Sequence, residues 1–238
     1  MQENLVIFDC DGVLVDSEFI ASKVFSEALS SYGYHITTEE CIKRFTGIDD
    51  QTCREIIMKE SGIFIPDDYW EQQYSRLKKA YETELTPLLQ PILNILNTFK
   101  ISRCIASNAS RDHVLNCLEI TDQLGYFSEN FIFTSSQVTR PKPSPDLFLF
   151  AAKEMGVKPE KCIVIEDSSI GAEAAIDAGM DVLLFAGASH AKFDWYQNQI
   201  AKHQKPVVTT CHELLYEIQQ AAKSDFCQLI RESKVALV

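Results

Sequence analysis

The chain has 238 residues, 46% hydrophobic and 24% charged, the make-up of a folded chain and not of a disordered one. With 22 Lys+Arg against 34 Asp+Glu its formal net charge is −12, and without a basic run it is not expected to bind a nucleic-acid backbone. No apolar run reaches the ~18 residues of a membrane span, and the start, MQENLVIFDCDG, lacks the basic head and cleavage site of a secretory signal. The eight cysteines form no CxxC pair and sit among apolar neighbours, so they are expected to be reduced and packed, in a cytoplasmic protein.

In chain order, residues 5–8 read as a short buried strand. Residues 18–32 follow as a helix, with Phe19, Ile20, Val24, Phe25, Ala28 and Leu29 on one face and Gly33 as its stop. Further helices are expected over 38–45, 50–60 and 67–84, broken at Gly47 and at 62–66. From there strand and helix alternate: helix 91–100, strand 102–106, helix 111–120, strand 131–134, helix 145–155, strand 162–165, helix 170–178 and a possible strand 182–185. Gly156 and Gly179 stop the last two helices. Such alternation predicts an α/β fold, a doubly wound, mostly parallel sheet. Residues 1–16 and 86–238 are expected to form it, with 17–85 inserted as a small helical cap domain. The tail 223–238 has weak helical periodicity and no assigned role.

The chemistry begins at Asp9-Cys10-Asp11-Gly12, where the first strand ends. In open α/β sheets ligands bind beyond the carboxyl ends of the strands. Two carboxylates crowded in apolar surroundings repel and are costly to desolvate, so a cation is the natural remedy, and hard oxygen donors suit Mg²⁺. Taken alone, the pair could also be an Asp-Gly turn whose first Asp caps the backbone. Cys10, between the two, should face the core. Three more polar points lie at or near strand ends: Ser107-Asn108, Lys142 within Arg140-Pro141-Lys142-Pro143, and Glu166-Asp167. Each alone has a bland explanation as a turn, a solvated loop lysine or a helix-dipole complement. His35, His113, His190, His203 and His212 show no paired ligand spacing and are expected at surface or helix positions.

The four points in this order resemble the motifs of the haloacid dehalogenase superfamily of phosphohydrolases, over nearly the whole chain and including the helical cap. The resemblance implies Asp9 as nucleophile forming an aspartyl-phosphate and Asp11 as general acid and base. It also implies Ser107 and the Asn108 amide as binders of phosphate oxygens and Lys142 as the group offsetting charge. Mg²⁺ would be held by Asp9, Asp167 and the Asp11 carbonyl, with Glu166 a direct or outer ligand; Mn²⁺ or Co²⁺ could substitute.

Within that superfamily the cap and the DGVLVDSE wording resemble the branch of sugar-phosphate phosphatases and beta-phosphoglucomutase. Where the mutase pattern has Ser-Arg on a cap loop, this chain has Asp49-Asp50, and a carboxylate would repel a second phosphate. The RFTG segment at 44–47 and Asp177-Ala178-Gly179-Met180 resemble the bacterial 6-phosphogluconate phosphatase group. The expected partner is therefore a small phosphorylated sugar, sugar acid or polyol, hydrolysed by a monomer. Glu18, Arg44, Thr46, Arg76, Lys78 and Lys79 of the cap are the candidates for selecting it. A phosphosugar mutase and a non-catalytic phosphometabolite-binding protein are the alternatives.

Overall fold

The computed structural model describes residues 4–46, 48, 50–66 and 68–221. Gly47, Asp49, Asp67 and the 223–238 tail, all named above, lie outside them. The chain divides into two compact units, Met1–Val15 with Pro87–Val238, and Asp16–Thr86.

The first unit is built on six strands: β1 (Leu5–Phe8), β2 (Ser102–Ser107), β3 (Ile132–Thr134), β4 (Cys162–Glu166), β5 (Asp181–Phe185) and β6 (Val207–Val208). They form one parallel sheet in the order β3-β2-β1-β4-β5-β6. The order reverses between β1 and β4, the crevice where such sheets hold ligands. Leu5–Phe8 is buried along its whole length, as a central parallel strand covered on both faces must be. Its register sets Ile7 between Cys104 and Val164.

Six helices connect and cover the strands: α5 (Gln90–Thr98), α6 (Arg111–Ile120), α7 (Asp146–Glu154), α8 (Ser169–Asp177), α9 (Asp194–Ala201) and α10 (Cys211–Ala221). Alanines on α7 and α8, among them Ala151, Ala152, Ala174 and Ala175, are buried with the strand residues in one cluster, and their small size allows close helix–sheet approach.

The expected doubly wound sheet is present, with boundaries that shift for physical reasons. Strands β2 and β4 run on to Ser107 and Glu166, so two polar motif residues are the last residues of strands. β3 starts at Ile132 because Phe131 closes a 3₁₀ turn over Glu129–Phe131. After β1 the chain turns sharply: the N–H groups of Val13, Leu14 and Val15 all donate to the Cys10 carbonyl, with Gly12 at φ +75°. The Leu14 carbonyl then accepts from Leu88 N–H and from the buried Gln123 side chain, 2.9 and 3.1 Å away. Beyond Phe185 the sequence reading named no element, and α9, β6 and α10 are there. β6 has only two residues, too few to show a period.

The second unit comprises α1 (Glu18–Ser31), α2 (Thr38–Phe45), α3 (Asp50–Ser61) and α4 (Tyr69–Glu84). Thr37 caps α2 by accepting from Glu40 N–H at 3.1 Å, and Gly33 follows α1 at φ +87°. Its own core gathers Leu29, Phe45, Cys53, Ile57 and Ile65 around Tyr69, whose ring meets those of Phe25 and Tyr32 edge-on. A cavity of about 280 Å³ opens within this unit, lined by Glu18, Ser22, Phe25, Thr46, Gln73 and Tyr74 among others. Among the described residues no helix is long and apolar enough to cross a membrane.

Position in the sheet sets how much a side chain matters. Ile7→Ala, in the fully buried central strand, is expected to cost ~2–5 kcal/mol. Val207→Ala, on the edge strand and 39% exposed, should change stability by under ~0.5 kcal/mol. Urea unfolding of the two variants checks the contrast, and equal losses would contradict it.

Candidate active site

The carboxyl ends of β1, β2 and β4 bring the polar motif residues together. Asp9 directly follows β1, and its N–H still donates to the Ile165 carbonyl at 3.0 Å, so the strand pairing holds it in place. The Lys142 ammonium lies 2.7 Å from Asp9 Oδ1 and 2.7 Å from Glu166 Oε1, with only 2% of its side chain exposed. Burial opposes that charge, but the two carboxylates outweigh it and hold the Lys142 pKa above its usual value. The Phe148 ring lies 4.7 Å from the ammonium. Asn108 fixes the lysine's backbone from both sides: its Oδ1 accepts from Lys142 N–H at 3.0 Å, and its Nδ2 donates to the Lys142 carbonyl at 3.1 Å.

Glu166 is fully engaged. While Oε1 accepts from Lys142, Oε2 accepts from the N–H groups of Asp167 and Ser168 and from the Ser168 hydroxyl, at 2.9–3.0 Å. A side chain at Gly171 would overlap this carboxylate, which explains a glycine in the first turn of α8. Asp167, buried beside it, has Oδ2 2.8 Å from Nε2 of His190, a histidine with no exposed surface. Gly12 approaches the same carboxylate so closely that a Cβ would overlap Oδ2, and its φ of +75° disfavours any other residue.

Asp9, Glu166 and Asp167 offer ligand oxygens within 4.8 Å of one another. Burial pushes the pKa of Asp9 and Asp167 well above the carboxylate range, and the neighbouring carboxylates add to it against the opposing pull of Lys142. One ammonium stands against three carboxylates, so the cluster carries an excess of negative charge in low-dielectric surroundings. An oxygen-only donor set with that charge fits a divalent cation. The Asp11 carboxylate belongs to a different group. It is turned toward α6, where Oδ1 lies 2.9 Å from His113 Nε2. The metal role that the resemblance implied for Asp11 is that of its carbonyl, and it does not call on this carboxylate. Burial opposes a charge on His113, yet Asp11 overcomes it and lifts the imidazolium pKa to about 11.

The remaining expected residues divide. Ser107 is buried at the end of β2, its hydroxyl accepting from Ala109 N–H at 3.1 Å, and Asn108 follows it, exposed. Cys10 is fully buried, as its place between the two aspartates predicted. Glu18 and Thr46 line the cavity of the helical unit. Arg44 instead pairs with Glu60 at 2.6 Å and donates to the Tyr34 hydroxyl at 2.8 Å, which commits its guanidinium within that unit. Arg76, Lys78 and Lys79 are exposed on α4, and none of them lines that cavity. His113 is on a helix as expected, but it and His190 are partners of Asp11 and Asp167. Their signal was position: His113 lies in the first turn of the helix after Ser107-Asn108, and His190 follows the end of β5.

The topology is doubly wound, with Asp9, Ser107 and Glu166 at the ends of three strands and Lys142 reaching them from the loop before α7, and comparison with known proteins gives the class. Residues 6–185 match the model of the haloacid dehalogenase-like hydrolase family. The chain is 32% identical over 188 residues to 6-phosphogluconate phosphatase of Escherichia coli, covering 79% of this chain and 84% of that one. It is 30% identical to the phosphorylated carbohydrates phosphatase of Thermotoga maritima, over 74% and 82% of the two chains. A solved haloacid dehalogenase-like protein of unknown function from Agrobacterium tumefaciens superposes with a TM-score of 0.82 at 32% identity, over 93% of this chain and 100% of that one. The chain belongs to the haloacid dehalogenase-like hydrolases, and it is an enzyme, a phosphoric monoester hydrolase.

The raised carboxyls set a pH dependence. A group whose pKa is higher in the folded state binds its proton more tightly there, so metal-free stability should fall as pH rises above the unfolded value of ~3.9. A bound divalent cation should reverse the loss. Asp167→Asn removes one repelling charge and is expected to raise the metal-free melting temperature at about pH 7.5 while abolishing most of the gain on adding Mg²⁺. Thermal melts in EDTA and in Mg²⁺ read both effects. A variant less stable than wild type in EDTA would show that repulsion is not what governs this cluster.

Proposed function

We propose that this hydrolase is a Mg²⁺-dependent phosphatase of a small phosphorylated sugar, sugar acid or polyol, working through an aspartyl-phosphate on Asp9. The observation that carries the reading is the buried Lys142 ammonium bonded at once to Asp9 and Glu166. It occupies Asp9 Oδ1 and leaves Oδ2 as the attacking oxygen. In the first half-reaction Asp9 bonds to phosphorus as the P–O bond to the organic group breaks. Asp11 gives a proton to the departing alkoxide. In the second half-reaction Asp11 takes a proton from water, whose oxygen displaces Asp9 and releases inorganic phosphate.

Throughout, Lys142 offsets negative charge on the transferring group, and the Ser107 hydroxyl and Asn108 N–H hold its equatorial oxygens. Mg²⁺ would be held by Asp9, Asp167 and the Asp11 carbonyl, with Glu166 behind them. There it would supply neutralisation of the buried carboxylates and of the phosphate. The arrangement asks little of the protein beyond placement and charge, which is most of what phosphoryl transfer requires.

The helical unit has a cavity of its own with a partly polar lining. Glu18, Thr46 and Gln73 bring polar groups to its cavity, and Gln73 is a buried side chain whose Oε1 has no hydrogen-bond partner among the described residues. Such groups suit a hydroxyl-bearing chain. The Escherichia coli and Thermotoga maritima relatives, named for 6-phosphogluconate and for phosphorylated carbohydrates, support the same substrate class.

Phosphate release from a panel of phosphorylated sugars, sugar acids and polyols should depend on Mg²⁺, vanish in EDTA and concentrate on a few members. Asp9→Asn is expected to abolish turnover, by at least ~10³-fold, while leaving the protein folded and able to bind inorganic phosphate. Hydrolysis retained in that variant would overturn the nucleophile assignment. An isomeric product formed only with a sugar bisphosphate present would identify a mutase.

A further inference from the structure

Helix α6 adds a second ligand group of different chemistry. His113 and Cys117 are four residues apart, so they share one face of the helix, and both converge with Asp11. His113 Nε2 lies 2.9 Å from Asp11 Oδ1 and 3.5 Å from Cys117 Sγ. The nitrogen, sulfur and oxygen all lie within 4.8 Å of one another. A histidine–aspartate hydrogen bond accounts for the first distance alone. It does not call for a thiol sulfur beside the same nitrogen.

We infer that Asp11, His113 and Cys117 form a binding site for a borderline-soft divalent ion, Zn²⁺ foremost, distinct in its donor set from the all-oxygen cluster of Asp9, Glu166 and Asp167. Imidazole and thiolate select Zn²⁺ and its neighbours over Mg²⁺, which prefers oxygen and its own water. Tetrahedral bonds of about 2.0 Å to nitrogen and oxygen and about 2.3 Å to sulfur place those ligands ~3.3–3.6 Å apart. The nitrogen–sulfur distance already matches, and the nitrogen–oxygen distance has to open by only a few tenths of an ångström. The side chains of His113 and Asp11 are 19% and 18% exposed, which gives an ion an approach. Cys117 lies beneath them, fully buried. Three protein ligands leave one position for water, the arrangement of an open zinc site. In the free protein burial keeps the Cys117 thiol protonated and Asp11 keeps a proton on His113 Nε2, so an ion entering the site displaces both protons to solvent.

The consequence for activity rests on the reading of Asp11 as the acid–base group. An ion bonded to Asp11 Oδ1 takes that carboxylate out of proton transfer, so the metal that occupies this site inhibits while Mg²⁺ in the other sustains turnover. The enzyme would then be stopped by Zn²⁺ without loss of its Mg²⁺.

The test uses the full chain saturated with Mg²⁺ and titrated with Co²⁺ as a spectroscopic stand-in for Zn²⁺. A near-ultraviolet thiolate-to-cobalt band should appear, saturate at one equivalent and disappear when Zn²⁺ is added. Cys117→Ala should lose the band, keep Mg²⁺-supported turnover and need at least ~10-fold more Zn²⁺ for half inhibition. His113→Asn should lose the band as well, and it serves should the core alanine fail to fold. No band in the wild type, or a band that survives both substitutions, would overturn the site. A band that the substitutions abolish, with no inhibition by Zn²⁺, would establish the site and count against Asp11 as the acid–base group.

Discussion

The structure turns on one buried ammonium. Lys142 is almost wholly removed from water and lies 2.7 Å from carboxylates on two different segments, Asp9 after β1 and Glu166 at the end of β4. A lone charge so placed would be prohibitive, and removing one partner of such a group typically costs ~3–5 kcal/mol because the other is left uncompensated. The arrangement persists because every member is anchored by more than its partner. Asn108 grips the lysine's backbone, the β1–β4 pairing holds Asp9, and the turn into α8 saturates the far oxygen of Glu166. The switch point of the sheet is thus where three segments are tied through a single charge.

That tie leaves the electrostatics unfinished. Asp9, Glu166 and Asp167 bring three carboxylates to one ammonium, in a protein whose net charge is already −12. Folding compels them together because β1 and β4 are neighbours in the sheet and their carboxyl ends coincide. A fold optimised for stability alone would not collect these charges. Burial above all, with the neighbouring carboxylates adding to it, raises the pKa values of Asp9 and Asp167, and strain of this kind concentrates where chemistry is done. With an acidic surface as well, long-range attraction of a phosphorylated substrate is weak, so binding has to rely on the local field of the site.

Much of this was legible in the sequence, and the gaps have causes. The strands announced themselves because parallel strands buried on both faces are short runs of Val, Ile, Leu and Phe. The motif residues did so because carboxylates, an amide and a lysine stood at or beside the ends of such runs. Glu166 was legible as a site residue, but its grip on Lys142 and on its own turn was not, since side-chain hydrogen bonds leave no periodicity. His113 and His190 were missed for a related reason. Each pairs with an aspartate 102 or 23 positions away, and that pairing leaves no mark in local spacing. Arg44 had the right charge for a phosphate, yet a glutamate on the following helix claims it. β6 was missed because a two-residue edge strand carries no pattern, whereas Leu214, Leu215 and Ile218 of α10 stand at helical spacing and were legible.

The two aspartates of the first motif show how a single turn separates roles. Had the strand continued, Asp9 and Asp11 would point to the same side and join one anionic cluster. Gly12, at φ +75°, lets the Cys10 carbonyl collect three successive N–H groups, and the chain folds back before a shared face can form. Asp9 stays at the sheet, held by Lys142. Asp11 swings to α6 and meets a histidine where both side chains are slightly exposed. Two identical side chains two residues apart thereby acquire different partners and different access to water. The roles proposed above, nucleophile for Asp9 and proton carrier for Asp11, would draw on that difference in partners and access. The same turn brings Gly12 against Asp167 with no room for a side chain, so the residue that parts the aspartates also closes the wall of the site beside Asp167.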